Sequence, residues 1–120
     1  VFAGTVEGVD KYFLLKHCLA YTHMALWESY CNTVHESMSQ GCVCIVSKDT
    51  ALEELIVHKK SGFAIPVFDY KSVAKTVLFI LDKNNKENID KIKKNAFEYT
   101  KNHSWKEIAR QVGLMYNKYL

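Results

Sequence analysis

The spacing of apolar residues changes several times along the chain, and each change marks an element. Residues 1–6 (VFAGTV) form a short β-prone run closed by Glu7-Gly8. From residue 9 to residue 20, apolar side chains fall at Val9, Phe13, Leu14, Cys18 and Leu19, which predicts an amphipathic helix. Residues 22–27 predict a second strand. Residues 32–40 predict a short helix with Val34 and Met38 inward, and Gly41 stands where a helix end favours a left-handed residue. Residues 42–46 (CVCIV) are too continuously apolar for a half-exposed strand and suit one buried on both faces of a parallel sheet. A short helix over 51–57 and a last strand over 62–66 (GFAIP) complete a β-α-β-α-β-α-β alternation, the pattern of a parallel α/β sheet.

Beyond Pro66 the period is helical throughout. Asp69 is the expected N-cap of a helix over residues 70–81, with Val73, Val77, Ile80 and Leu81 inward. Ile89, Ile92, Ala96 and Tyr99 mark the stripe of the next helix. Ser104-Trp105-Lys106-Glu107 has capping-box spacing and opens a final helix expected to bury Ile108, Val112, Met115 and Tyr119. Repeats and linker-like tracts are lacking, so the chain reads as one domain.

Composition changes this picture little. At 120 residues, 48% apolar and 24% charged, the chain has ordinary globular composition, and its net charge of +3 is mild. The lysines that crowd the C-terminal half alternate with acids, which suits a solvated helical face rather than a nucleic-acid surface. The four cysteines lack CxxC pairing and the five histidines are scattered, so free thiols are expected and a zinc site is not. With no signal-like start and no membrane-spanning run, the expected location is cytoplasmic. His35 and His58 read as exposed helix residues, and Tyr99, Tyr116 and Tyr119 as packing residues.

The candidate chemistry lies in WESYCNTVHE, residues 27–36. A strand ending near Trp27 and a helix beginning near Asn32 make residues 28–31 the turn at the carboxyl end of a parallel strand, where ligands of open α/β sheets collect. Free N–H groups of Cys31, Asn32 and Thr33 at the helix start suit a phosphate. Glu28 and Glu36 would face the same crevice. A carboxylate about 8 Å from a phosphate is repelled by roughly 2 kcal/mol per unit-charge pair at an effective dielectric of about 20. Ligand hydroxyls donating to the carboxylates offset this by about 1.5–3 kcal/mol each. The combination points to a ligand bearing sugar hydroxyls and phosphate together. No Lys or Arg occurs between His17 and Ser47, so the balancing cation must come from elsewhere. The alternative is that Glu36 is an ordinary surface residue and Glu28 caps the helix.

These residues resemble a known family. The run from Glu28 to Ile45 (ESYCNTVHESMSQGCVCI) is similar to the E-G-F-G-L-V-x-x-E-A-M-A-x-G-x-P-V-I form of retaining glycosyltransferases of the GT-B architecture, most of all glycosyltransferase family 4. Glu54, Ser61-Gly62-Phe63 with Pro66, and Ser104 to Ala109 continue the likeness in register. It implies a Rossmann-like partial parallel sheet of about four strands with helices on both faces. This would be the later part of a C-terminal donor-binding domain, with the acceptor domain and earlier strands absent. Glu28 inherits donor-sugar contact and a part in catalysis, Ser29, Tyr30 and Cys31 face the sugar, Asn32 and Thr33 bind the diphosphate through their amides, and Glu36 holds the ribose. No metal or other cofactor is implied. The implied substrates are an NDP-sugar donor and a glycan or lipid-linked acceptor, in a polysaccharide-building enzyme that touches the membrane only peripherally.

Departures accompany the likeness. The family form's two glycines are Ser29 and Cys31, a Pro-Ser pair just upstream is Met24-Ala25, and a Gly-Gly before Glu54 is Thr50-Ala51. A non-catalytic α/β binding module is therefore the competing expectation. In a 3-2-1-4-5-6 sheet the strand over residues 1–6 would have lost its neighbours, so it is expected to pair directly with the 22–27 strand or exchange into a dimer.

Overall fold

The computed structural model describes residues 2–119. In chain order the elements are α1 (Gly8–His17), β1 (Tyr21–His23), α2 (Asn32–Ser39), β2 (Cys44–Ser47), α3 (Leu52–Leu55), β3 (Phe63–Ile65), α4 (Tyr70–Leu81), a 3-10 turn (Lys83–Asn85), α5 (Lys86–Asn102) and α6 (Trp105–Tyr119). The three strands form a parallel sheet in the order β1-β2-β3, with Tyr21 opposite Cys44 and Ile45 opposite Phe63. The α/β class and parallel sheet expected from the sequence are present, with three strands rather than four. No helix among the described residues is long and apolar enough to cross a membrane.

β2 is the middle strand and every residue in it is buried. Its alternation divides the core in two. Cys44 and Val46 face a layer of Val34, Met38, Leu52, Leu55, Ile56 and Ala96. Val43 and Ile45 face Phe63, Ile65, Ile80, Ile89 and Ile92. Full burial of a side chain such as Ile45 stabilises the fold by about 1.5–3 kcal/mol, which is why an unbroken apolar run is the signature of this position. Gly62 seats β3 against this strand: a Cβ there would lie 2.8 Å from the Cys44 carbonyl oxygen and 2.9 Å from Ile56 Cδ1. The glycine of the Ser61-Gly62-Phe63 motif thus has a packing reason.

Local signals for the helices after β3 are largely realised. Asp69 Oδ1 accepts from the Ser72 amide at 3.0 Å and caps α4, and Ile89, Ile92 and Ala96 are buried along α5. Gly41 takes φ 71 after α2, and the Glu107 amide donates to Ser104 Oγ at 3.3 Å at the start of α6.

Five expectations are corrected. Residues 2–6 form no strand; Gly4 turns the run with φ 69, and β1 pairs only with β2 (Val1 lies outside the described residues). The 22–27 strand shrinks to Tyr21–His23, because the chain leaves the sheet with Leu26 and Trp27 65% and 93% exposed. The helix expected over 51–57 is one turn, since Ile56 becomes extended as it enters the core. In α1 most of the expected face is turned out: Val9, Phe13, Leu14 and Leu19 are exposed, and of the expected stripe only Cys18, just past the helix end, turns inward, joined by Lys11 and Leu15 at i−7 and i−3 from it. α6 buries no residue fully: of its expected face Ile108 is half-buried and Val112, Met115 and Tyr119 are exposed because no described element covers that face; Tyr116, read as packing, and Leu81 at the end of α4 are exposed as well.

One smaller reading changes too. His58 is not helical but bridges to Gly62, and its Nδ1 accepts the Ala64 amide at 3.1 Å. The four cysteines are free as expected, although Cys18 Sγ, just after α1, and Cys42 Sγ, just before β2, lie 3.2 Å apart.

Candidate functional site

The carboxyl end of the sheet is where β1 stops at His23 and β2 at Ser47. Between β1 and α2 the chain makes a tight loop through residues 24–31, which folds back so that Glu28 reaches the strand it has just left. Glu28 Oε2 lies 3.1 Å from His23 Nε2, and Glu28 Oε1 accepts the Ser29 amide at 3.0 Å. The Ser29 amide first, and then His23, hold the Glu28 carboxyl below the usual carboxylate range. Glu28 therefore closes its own loop and does not cap α2.

α2 begins with an unusual residue. Cys31 occupies the N-cap in the left-handed region, with φ 56 and ψ 82, and supplies no side-chain cap. A left-handed β-carbon costs about 1–2 kcal/mol, a conformation glycine adopts without strain. The family form has glycine at this position, so the cysteine keeps a glycine-type backbone. Its half-buried thiol is raised above the usual value, first by burial and also by the nearby Glu28 charge. No acidic residue occupies the first turn of α2, and the amides of Asn32 and Thr33 belong to that uncapped turn. Ser29, Tyr30 and Asn32 are exposed; Thr33 is half-buried.

Glu36 has a different partner. One turn into α2, it pairs with Lys11 Nζ of α1 at 2.9 Å, and this pairing raises the Lys11 ammonium's pKa. Lys11 of α1 thus brings a cation to Glu36 from outside the stretch between His17 and Ser47. Sequence periodicity missed it because it treated lysine as an outward residue.

Three further residues at this edge escaped the sequence reading. His23 had no flag except its position five residues before Glu28. His35, expected to be exposed, is half-buried between Tyr30 and Tyr99, at ring distances of 6.4 and 6.5 Å. Its Nε2 is buried without a partner among the described residues, and burial lowers its pKa. Ser47 Oγ, at the end of β2, is likewise buried and unpaired among those residues. Cavities of about 770 Å³ beside β3, α4 and α5, and about 500 Å³ at the α5–α6 junction, include neither glutamate.

The family profile described as Glycosyl transferases group 1 matches residues 1–99. The chain belongs to this family. The match takes in the sheet, Glu28, α2 with Glu36, and nearly all of α5, and it ends before α6, the helix that buries no residue fully. No curated protein matches the chain. Membership in the group 1 glycosyltransferases makes glycosyl transfer the chemistry of this fold, with nucleotide-sugar and acceptor binding in general.

Proposed function

We propose that the chain is the nucleotide-sugar-binding part of a retaining GT-B glycosyltransferase of the family 4 type, moving a hexosyl group from an NDP-sugar to a glycan or lipid-linked acceptor. The observation that carries this reading is the loop 28–33: Glu28 held at the strand end, a glycine-type backbone at Cys31, and an uncapped helix start directly after it. In this reading the amides of Asn32 and Thr33 receive the diphosphate, whose charge the helix dipole favours. Ser29, Tyr30 and Cys31 line the sugar, Glu28 takes its hydroxyls, and Glu36 takes the ribose hydroxyls once Lys11 yields or shares it.

Transfer needs no metal. The bond from the anomeric carbon to the phosphate oxygen breaks while the acceptor oxygen arrives on the same face, and the departing phosphate takes the acceptor's proton. The acceptor would be held by a second Rossmann-like domain that these residues do not contain, in the cytoplasm or at the inner face of a membrane. The 120 residues alone should therefore bind donor without turning it over.

A non-catalytic binding module is the second reading, favoured by the side chains that replace glycine at Ser29 and Cys31. Amide shifts on adding UDP- or GDP-sugars decide between them. Movement concentrated at residues 28–36, weakened by Glu36→Ala without loss of fold, supports donor binding. No movement with either donor class refutes it. In an enzyme that also carries the acceptor domain, Glu28→Gln should lower transfer more than donor affinity, and full activity would remove Glu28 from the chemistry.

A further inference from the structure

His23, Glu28 and Cys31 each offer one ligand atom, and the three atoms lie within 4.8 Å of one another. They come from three pieces of local structure: the end of β1, the loop, and the left-handed residue before α2. We propose that they form a three-ligand site for a zinc-class divalent cation.

The donor set is the kind zinc takes, one imidazole nitrogen, one carboxylate oxygen and one thiolate. With metal–ligand bonds of about 2.0–2.3 Å, the edges of a tetrahedral site are about 3.3–3.8 Å long. The His23 Nε2–Glu28 Oε2 separation of 3.1 Å is close to such an edge, and the thiol, within 4.8 Å of both atoms, closes in to complete the triangle when the metal binds.

The atoms behind these ligands are already occupied. His23 Nδ1 lies 3.4 Å from Tyr21 Oη, with the two rings stacked at 6.2 Å, so the imidazole turns its Nε2 towards Glu28. Glu28 Oε1 is held by the Ser29 amide, which turns Oε2 towards His23. Partners of this kind orient metal ligands in built sites. All three residues are half-buried rather than sealed, so a fourth position stays open to water, and the thiol proton leaves to solvent when the metal binds. The spacing H-x4-E-x2-C matches no familiar zinc signature, which is why composition and cysteine spacing argued against a site.

The site shares Glu28 and Cys31 with the proposed donor-sugar contacts, so metal and donor would compete for them; metal binding is nevertheless measured without donor or acceptor, and its failure leaves the glycosyl-transfer reading untouched. The reduced 120-residue chain is titrated with Co²⁺ and then with Zn²⁺. A thiolate-to-cobalt charge-transfer band of one equivalent is expected, erased by Zn²⁺. Cys31→Gly deletes the thiol at a backbone position where glycine is unstrained, so this variant folds and should lose the band. His23→Ala and Glu28→Ala should each weaken Co²⁺ binding by about tenfold or more, while Cys18→Ser leaves the band in place. Absence of a band in the parent chain, or a band that survives Cys31→Gly, overturns the proposal. So does a band abolished by Cys18→Ser, because the thiol would then belong to the Cys18–Cys42 contact.

Discussion

Gly62→Ala should be among the most damaging single-methyl additions in this protein. The new Cβ would stand 2.8 Å from the Cys44 carbonyl oxygen, and 2.9 and 3.0 Å from Ile56 Cδ1 and Cγ2. Ordinary carbon contacts lie at about 3.5–4.0 Å, so several tenths of an ångström must be recovered on two sides. The carbonyl belongs to β2, whose residues are buried and paired with both neighbouring strands, and it cannot retreat without disturbing the sheet. Ile56 is 2% exposed and has little room either. Overpacking of this kind costs about 1–3 kcal/mol, and the rigid carbonyl puts this case near the top, about 3 kcal/mol. With an unfolding entropy of about 2.1 cal/mol/K per residue, the 120-residue chain should lose about 12 °C in Tm. Thermal unfolding followed by far-ultraviolet circular dichroism measures this directly, with urea titration to check that the m-value is unchanged. Adding Ile56→Val removes the Cδ1 contact but leaves the carbonyl, so the double variant should be less destabilised than the sum of the singles. A drop in Tm under about 3 °C for Gly62→Ala would refute the reasoning, since it would mean that β3 slides away from β2 at little cost.

Two further outcomes are expected from the charged groups. Lys11→Ala removes the partner that holds α1 to α2, so hydrogen exchange should quicken across Gly8–His17 while the β2 amides keep their protection; unchanged exchange in α1 would show that Leu15 alone docks it. The Glu107 carboxyl, held down to about 2 first by Arg110 and then by Gln111, has a folded-state pKa below its ordinary 4.5. Its contribution to helix α6 is therefore present above the unfolded value and lost as pH falls through about 4.5 towards about 2. A carbon-detected side-chain titration should place its midpoint near the lower value, and a midpoint at 4.5 would dissolve the pair.

What the sequence determined by itself was whatever depends on neighbours along the chain. The unbroken CVCIV run fixed a strand buried on both faces, because only a central parallel strand leaves no polar side. Asp69 before α4, Gly41 after α2 and the Ile89-Ile92-Ala96 stripe were legible for the same reason: caps, left-handed ends and helical periods are local chemistry. The E-x7-E spacing indicated the glycosyltransferase family only together with Glu54, Ser61-Gly62-Phe63 with Pro66, and Ser104 to Ala109 in the same register.

Tertiary structure alone decided which faces are covered and which side chains from distant segments meet. α1 has an apolar stripe that periodicity would bury, yet of that stripe only Cys18 packs, and Lys11 and Leu15 take the place of the rest, Glu36 on α2 giving the lysine a partner. α6 has a regular apolar period and buries no residue fully, because a period states what a helix could bury and another surface must supply the burial. His23 became a site residue only when the chain between it and Glu28 folded back and set the carboxylate against it, a contact made by the path of residues 24–27 rather than by any spacing in the sequence.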